Sequence, residues 1–387
     1  MLALTHCDVY AGERVYHDRA VLIREGLIAD LVGLDEIPSH AEIHDLGGAT
    51  VSPGFIDLQV NGGGDCLFND DPTPQAIRRI IAAHRKYGTT DLLATFITDH
   101  DENMARAIDA VGECLREGTP GLLGIHLEGP FLNPEKAGVH DGTLMRRMAG
   151  ADLALIPSFD RGRVLLTLAP EMVDPGLISE LVAQGVKVSA GHSNALFPRM
   201  VEAFEEGLDS GTHLFNAMRN IESREPGVVG SILANDEISA GVIVDGFHVH
   251  PSSVYVACKA NGKGRTYLVT DAMPPVGGTR MDFQVGGHAA SVVDGRCQTA
   301  EGVLAGSALD MASAVRNTVR KVGLPKDEAL RMATLNPAAY IGADDRLGRI
   351  EPGYQANLTV MDGEMYVQGV LVRGRLSWNA SRADART

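Results

Sequence analysis

The chain has no apolar run approaching the roughly 20 residues that a bilayer-spanning helix needs, so no membrane partner is expected. Its opening, MLALTHCDVY, lacks a basic segment followed by a long apolar core, so a secretory leader is not expected either. Basic charge is in deficit: 34 Lys and Arg stand against 50 Asp and Glu, for a formal net charge of −16. No basic face compensates, which argues against nucleic acid as a bulk partner. A small anionic substrate remains open, because a few local cations can hold a phosphate in an acidic protein. The five cysteines, Cys7, Cys66, Cys114, Cys258 and Cys297, contain no CxxC pair. An odd, dispersed set reads as free thiols in a reducing cytosol, and a cytoplasmic location is expected. Cys66 has no neighbour to activate it and reads as structural. Low-complexity segments and fixed-period repeats are also missing.

What is present is a globular composition, 44% hydrophobic, on 387 residues, enough for a large core and more than one domain. Residues 1–50 alternate in short stretches rich in Val, Ile, Tyr and Leu, broken by Gly and charged turns, which predicts several small antiparallel strands. The chain end, LGRIEPGYQANLTVMDGEMYVQGVLVRGRL, repeats that style. One small β domain built from both termini accounts for the two flanks.

The middle alternates differently. FIDLQVNG is followed by a helical pattern in TPQAIRRIIAAHRKYG, with Thr73 as cap, Pro74 in the first turn and Gly88 past the end. TDLLATFIT, a helix over about Glu102 to Glu117, GLLGIHLEGP, and VLLTLAP follow. The next helix is expected from Asp174 as cap and Pro175 in the first turn, with Gly185 as stop. VKVSAGHS, a helix near Pro198–Glu206, SGTHLFNA, ISAGVIVDG and RTYLVTDA complete eight apolar strands. Such strands alternating with helices predict an α/β fold, a (β/α)8 TIM-type barrel with a small β-sandwich domain formed by both chain termini. The expected bounds are 1–52 for the N-terminal part of the sandwich, 53–350 for the barrel and 351–387 for the C-terminal part. A β-hairpin insertion is expected near 281–301, close to the barrel mouth. Helices are expected over Leu309 to about Val322 and from Pro325 towards Asn336-Pro337.

Glu128, His192, His213 and Asp271 each follow one of these strands. A parallel barrel gathers the C-terminal ends of distant strands at one mouth, so four such residues can form one site. One carboxylate and two imidazoles suit one divalent ion, zinc by preference, with iron, manganese or cobalt also compatible. The further carboxylate, Asp271, can move protons on and off a water held there. Two other donors are absent. The first strand carries Gln59 and Asn61 where related barrel hydrolases carry His-x-His, and Gln59 could reach an ion only through its carbonyl oxygen. The fourth strand has no Lys, and Lys187 sits at the wrong end of the fifth. A single ion follows. His126 is expected to pack beneath the site, and His250 to be structural.

Taken together, PGFIDLQVNG, HLEGPFLNPEKAGVH, AGHSNA, GTHLFNAM, SREPGVVG, DGFHVHP, LVTDAMPP and GVLAGSALDM resemble the N-acetylglucosamine-6-phosphate deacetylase family of the amidohydrolase superfamily. The resemblance covers nearly the whole chain. It implies a homodimer and hydrolysis of N-acetyl-D-glucosamine 6-phosphate to D-glucosamine 6-phosphate and acetate, in amino-sugar metabolism. It implies that Glu128, His192 and His213 are the metal ligands, and that Asp271 is the base and then the acid as metal-activated water attacks the amide. His140 then polarises the carbonyl. Val139, through its backbone, Asn216, Ala217, Arg224, His248, Leu304, Ala305 and Gly306 match substrate contacts. Arg224 and His248 match the phosphate contacts, with a role across the dimer open for either. Other amidohydrolases, such as D-aminoacylases, would more often keep His-x-His. A galactosamine 6-phosphate deacetylase is a nearer alternative, and a barrel that binds without catalysis would show an eroded site.

Overall fold

Eight parallel strands close into a barrel at the centre of the structure, a computed structural model that describes residues 1–379. They are Phe55–Val60, Thr89–Ile97, Leu122–Glu128, Arg163–Leu168, Lys187–Ala190, Ser210–Gly211, Ser239–Val242 and Thr266–Leu268. Each pairs in parallel with the next. Closure comes just past the eighth, where Asp271 N–H donates to the Gln59 carbonyl at 2.9 Å and Val60 bridges Ala272. Every residue of the first three strands is buried. That burial explains their continuous apolar runs: one face fills the barrel and the other meets helices. Each large apolar side chain hidden this way, such as Phe55 or Ile56, contributes about 1.5–3 kcal/mol.

The helices follow local signals where those signals are free to act. Thr73 Oγ1 accepts the Ala76 N–H at 3.2 Å and opens the helix Pro74–Arg85, which buries Ile77, Ile80 and Ile81. Gly88 then turns the chain at φ 89, where a Cβ would lie 2.8 Å from both the Phe55 ring and the Thr359 methyl. At Asp174 the expectation fails. The helix starts later, at Leu177–Ala183, with Gly176 (φ 85) as its cap residue. The Asp174 carboxylate is instead paired with Arg147 at 2.6 Å, so it is not available to cap. The helix expected to Val322 is α-helical over Met311–Asn317 and passes into a π turn over Thr318–Val322. The next one breaks at Thr334 into Lys326–Ala333 and Leu335–Tyr340, because Pro337 has no N–H to continue the ladder.

Two sheets differ in detail from expectation. The insertion near 281–301 forms three antiparallel strands, Asp282–Val285, His288–Val293 and Arg296–Thr299, where a single hairpin was expected. The terminal domain is a seven-stranded sheet drawn from both ends of the chain. Glu42–Pro53 lies at its centre, and Leu2–Tyr10 beside it is antiparallel to Val15–Arg24 but parallel to Glu42–Pro53. A parallel pair needs a crossover, and residues 34–41 carry the chain back across the sheet. Strands Leu358–Met361, Val367–Val372 and Arg375–Trp378 complete it beside Glu42–Pro53. Leu4, Val9, Val21, Val51, Leu358 and Val360 belong to a core separate from that of the barrel. Residues 380–387 of the expected C-terminal part lie outside the described residues. No helix among the described residues is long and apolar enough to cross a membrane.

Asp57 is an unusual member of the first barrel strand, being fully buried. Its carboxylate accepts from Thr270 Oγ1 at 2.6 Å and from the Gln59 and Thr270 N–H groups at 3.2 Å. Burial pushes the carboxyl up to about 7 against those hydrogen bonds. A carboxyl raised by folding contributes stability that is complete below its unfolded value near 4 and fades as pH rises through 7. The amide of Asp57→Asn retains acceptor and donor sites but does not titrate. Between pH 4 and 8 the wild type should therefore lose stability relative to this variant, on the order of 4 kcal/mol as an upper bound. Thermal midpoints of the two proteins across that range test this, and parallel pH profiles would refute it.

Candidate active site

The barrel mouth is assembled by chain turns that few residues adopt. Glu128 ends the third strand and is 1% exposed. His192, His213 and Asp271 lie just past the fifth, sixth and eighth strands, with φ of 47, 33 and 52°. Left-handed backbone at non-glycine residues costs about 1–3 kcal/mol each and persists only where surrounding structure enforces it. Here it turns three polar side chains into the cavity, one after another.

Those side chains converge closely. Glu128 Oε1 lies 3.2 Å from His192 Nε2 and 3.0 Å from His213 Nε2, and the two nitrogens are 3.1 Å apart. A tetrahedral ion bound at about 2.0–2.2 Å would hold three such atoms roughly 3.3 Å apart. His192 Nδ1–H donates to the Lys136 carbonyl at 2.8 Å, leaving its Nε2 lone pair to face the other two atoms. A carboxylate and imidazole lone pairs aimed at one point fit a cation. Burial pushes the Glu128 carboxyl up, but its close pairing with His192 and His213 outweighs that and holds it well below the carboxylate range. Burial lowers His213, and Glu128 reverses that to a net rise. His140 also adjoins the cluster, since its ligand atom lies within 4.8 Å of those of Glu128 and His192. Two trios thus share Glu128 and His192. The one with His213 has the shorter separations.

Around this cluster, amides and hydroxyls set the orientation of the charged groups. Gln59 Nε2 lies 3.1–3.2 Å from the Glu128 oxygens and 3.3 Å from Asp271 Oδ1. Asn61 Nδ2 donates to Asp271 Oδ1 at 2.6 Å. Gln59 thus offers its nitrogen to both carboxylates. Burial, then the charge of Glu128, pushes Asp271 up to about 6, a range suited to proton exchange near neutral pH. His140 Nδ1 is 3.0 Å from Thr98 Oγ1, nearer than the 3.3 Å from that hydroxyl to the Glu128 carbonyl. The Thr98 hydroxyl donates to that carbonyl, which can only accept, so its oxygen faces His140 Nδ1. Burial, with His192 next, depresses His140 to about 3, so the ring is neutral. His126 lies beneath, 2.7 Å from Thr167 Oγ1, and burial lowers it to about 4. Lys187 pairs with Asp209 at 2.6 Å, and His250 caps the helix Pro251–Ala260.

Asn61, Glu128, His192, His213 and Asp271 line a cavity of about 380 Å³. Val139, His140, Asn216, Ala217, His248, Leu304 and Gly306 line it too. Arg224 and Ala305 do not: Arg224 is exposed outside it, and Ala305 is fully buried behind the loop. Sequence reasoning missed Thr98, Lys136, Ile243 and Met273. Thr98 carries the one usable signal, a polar residue directly after an apolar strand.

A parallel eight-stranded barrel with this cluster at its mouth defines a class, the barrel hydrolases. The chain belongs to the amidohydrolase family, whose model matches residues 50–377, while residues 1–51 match the NagA composite domain. It is 40% identical to an N-acetylgalactosamine-6-phosphate deacetylase of Shewanella sp. (strain ANA-3), over 94% of this chain and 93% of the relative. It is 36% identical to the N-acetylglucosamine-6-phosphate deacetylase of Haemophilus influenzae, over 97% and 99%. The crystal structure of the Pasteurella multocida N-acetylglucosamine-6-phosphate deacetylase superposes with a TM-score of 0.93 at 36% identity, covering 98% of this chain and 100% of that one.

The two overlapping trios make different demands. If His213 completes the ligand set, His213→Asn should lose zinc at least a hundredfold more readily than wild type, while His140→Asn keeps one ion per chain. Titration against a competing chelator, with metal analysis of the dialysed proteins, measures both. The reverse ranking would assign the ion to Glu128, His140 and His192.

Proposed function

We propose that this protein removes acetate from N-acetyl-D-glucosamine 6-phosphate to give D-glucosamine 6-phosphate. The observation that carries this reading is the convergence of Glu128, His192 and His213 within 3.0–3.2 Å on a cavity shared with Asp271 and His140. Full-length similarity to amino-sugar phosphate deacetylases supplies the substrate class. A second reading, the galactosamine epimer, is favoured by the 40% identity to an enzyme of that name. The epimers differ at one hydroxyl. We further propose a cytoplasmic homodimer and one zinc ion. Arg224 is exposed outside the cavity, so a phosphate contact from it requires a second copy of the chain.

Glu128, His192 and His213 would hold the ion. A divalent cation there lowers the pKa of water towards neutrality and polarises a carbonyl. The remaining work belongs to side chains. Asp271 takes a proton from the attacking water as its oxygen bonds to the acetamide carbon. His140 polarises the carbonyl oxygen as negative charge builds there, a contribution of about 2.7–4 kcal/mol for one group of this kind. Asp271 then gives its proton to the nitrogen as the C–N bond breaks, freeing the amine and acetate. Asn61 keeps Asp271 Oδ1 in place throughout. His248 meets the phosphate, and Asn216, Ala217, the Val139 backbone and the loop of Leu304 and Gly306 hold the sugar. Ala305 shapes that loop from behind.

Acetate release from both epimers, with zinc-loaded protein, tests the proposal and separates the two readings. Folded, metal-loaded protein that releases acetate from neither would end it. Asp271→Asn should bind product with near wild-type affinity and show at least a thousandfold lower kcat, the scale for removing an essential proton carrier. Thr98→Val removes the hydroxyl that holds His140 Nδ1 and should lower kcat about tenfold with little change in KM, and Thr98→Ser should restore it. Equal losses in the Val and Ser variants would point to packing.

A further inference from the structure

His248 reaches the cavity from a turn after the seventh barrel strand, and that turn is built around one carboxylate. Asp245 Oδ1 accepts the backbone N–H groups of Phe247 at 2.8 Å and His248 at 2.9 Å. Asp245 Oδ2 lies 2.6 Å from His248 Nδ1. Both side chains are shielded, 9% and 6% exposed. The turn is braced from behind. Asn317 Nδ2 donates to the Val244 carbonyl at 2.8 Å, and Lys321 Nζ lies 3.4 Å from the Asp245 carbonyl. Asn317 immediately precedes the π turn Thr318–Val322, which contains Lys321. A π turn in an otherwise α-helical stretch is a departure often found at functional sites.

The consequence for His248 is chemical. Its Nδ1 is committed to Asp245, so Nε2 is the nitrogen left to face the cavity. The Asp245 carboxylate thereby fixes the ring so that Nε2 faces an incoming anionic oxygen. This matters in a cavity lined by Glu128, Glu135 and Asp271 as well as Lys136. An anion entering among those carboxylates needs an oriented donor.

We propose that Asp245 is the positioning residue that makes His248 a phosphate-binding donor. Asp245 would thereby set the preference of the enzyme for phosphorylated over unphosphorylated sugar. The proposal rests on the sugar-phosphate reading of the site. Asp245 never touches substrate; it acts through the ring.

The test compares wild type, Asp245→Asn, Asp245→Ala and His248→Ala on N-acetylglucosamine with and without its 6-phosphate. Calorimetry with glucosamine 6-phosphate and glucosamine gives a second readout that needs no turnover. The Asp245 variants should raise KM for the phosphorylated substrate roughly ten- to a hundredfold with kcat nearly constant, the range for a lost charge-assisted hydrogen bond. Their preference for the phosphorylated sugar should fall by the same factor, in binding as in kinetics. Adding Asp245→Asn to His248→Ala should cause no further loss. If Asp245→Ala does not fold, the isosteric Asn variant decides. If His248→Ala loses the preference and Asp245→Asn keeps it, the role of Asp245 falls while the phosphate reading of His248 stands. If His248→Ala keeps it, both fall. Equal losses on the two sugars would make Asp245 merely structural and overturn the proposal.

Discussion

A carboxylate at the bottom of a closed cavity must be compensated, and the arrangement around Glu128 follows from that requirement. An ionised carboxylate taken out of water without partners costs several kcal/mol or more. Glu128 is 1% exposed, yet it is held ionised by two imidazoles and the Gln59 amide. Burial, and then the same charge, pushes Asp271 upward into a range where it can accept and release protons. Glu128 thus has two effects, gathering donors suited to a cation and tuning the second carboxylate.

Barrel closure and active-site geometry are not separable in this molecule. The hydrogen bond from Asp271 N–H to the Gln59 carbonyl is part of the seam between the first and last strands. The Ser307 N–H to Asp271 carbonyl bond, at 2.9 Å, ties the same residue to the loop carrying Leu304 and Gly306. Asp271 therefore sits where three segments meet, and its left-handed backbone is enforced from both sides. Gly306 belongs to this constraint: at φ 57, a Cβ there would approach the Asp271 carbonyl to 2.8 Å. A bulkier residue at Gly306 would push on the segment that carries Asp271.

Legibility in the sequence followed the range of the interactions. The barrel was readable because each strand is buried on both faces, which leaves a continuous apolar run. The Thr73 cap was readable because its partner is three residues away. Asp174 looked equally good, but Arg147, 27 residues distant, holds it, and sequence spacing does not show such a competitor. The parallel pairing of Leu2–Tyr10 with Glu42–Pro53 was hidden likewise, since alternation reports burial and not strand direction. At the site, residues at strand ends could be named singly, because a barrel brings strand ends together. Asn61, Thr98 and Asp245 were harder. Their chemistry lies in which atom they offer to a neighbour, and that depends on side-chain geometry to within a few tenths of an ångström. The exposed position of Arg224 was beyond reach for another reason: a motif match identifies a residue and leaves open which cavity it faces.

The two amides in the first strand bear on how many ions such a site can hold. Imidazoles at those positions would present lone pairs to a cation, and a second ion would also need a bridging anion. Here Gln59 and Asn61 present N–H groups to Glu128 and Asp271 instead. A donor amide directed at a carboxylate occupies lone pairs that a second cation would require. The fourth strand, Arg163–Leu168, offers no lysine from which a bridging carboxylate could be made. Two dications would then face only Glu128 and Asp271 as anions in the inner cluster. One dication would be balanced by those two carboxylates, with His192 and His213 as neutral ligands. Amides in place of imidazoles in the first strand therefore remove lone pairs without changing charge, which fits the single ion proposed for this mouth.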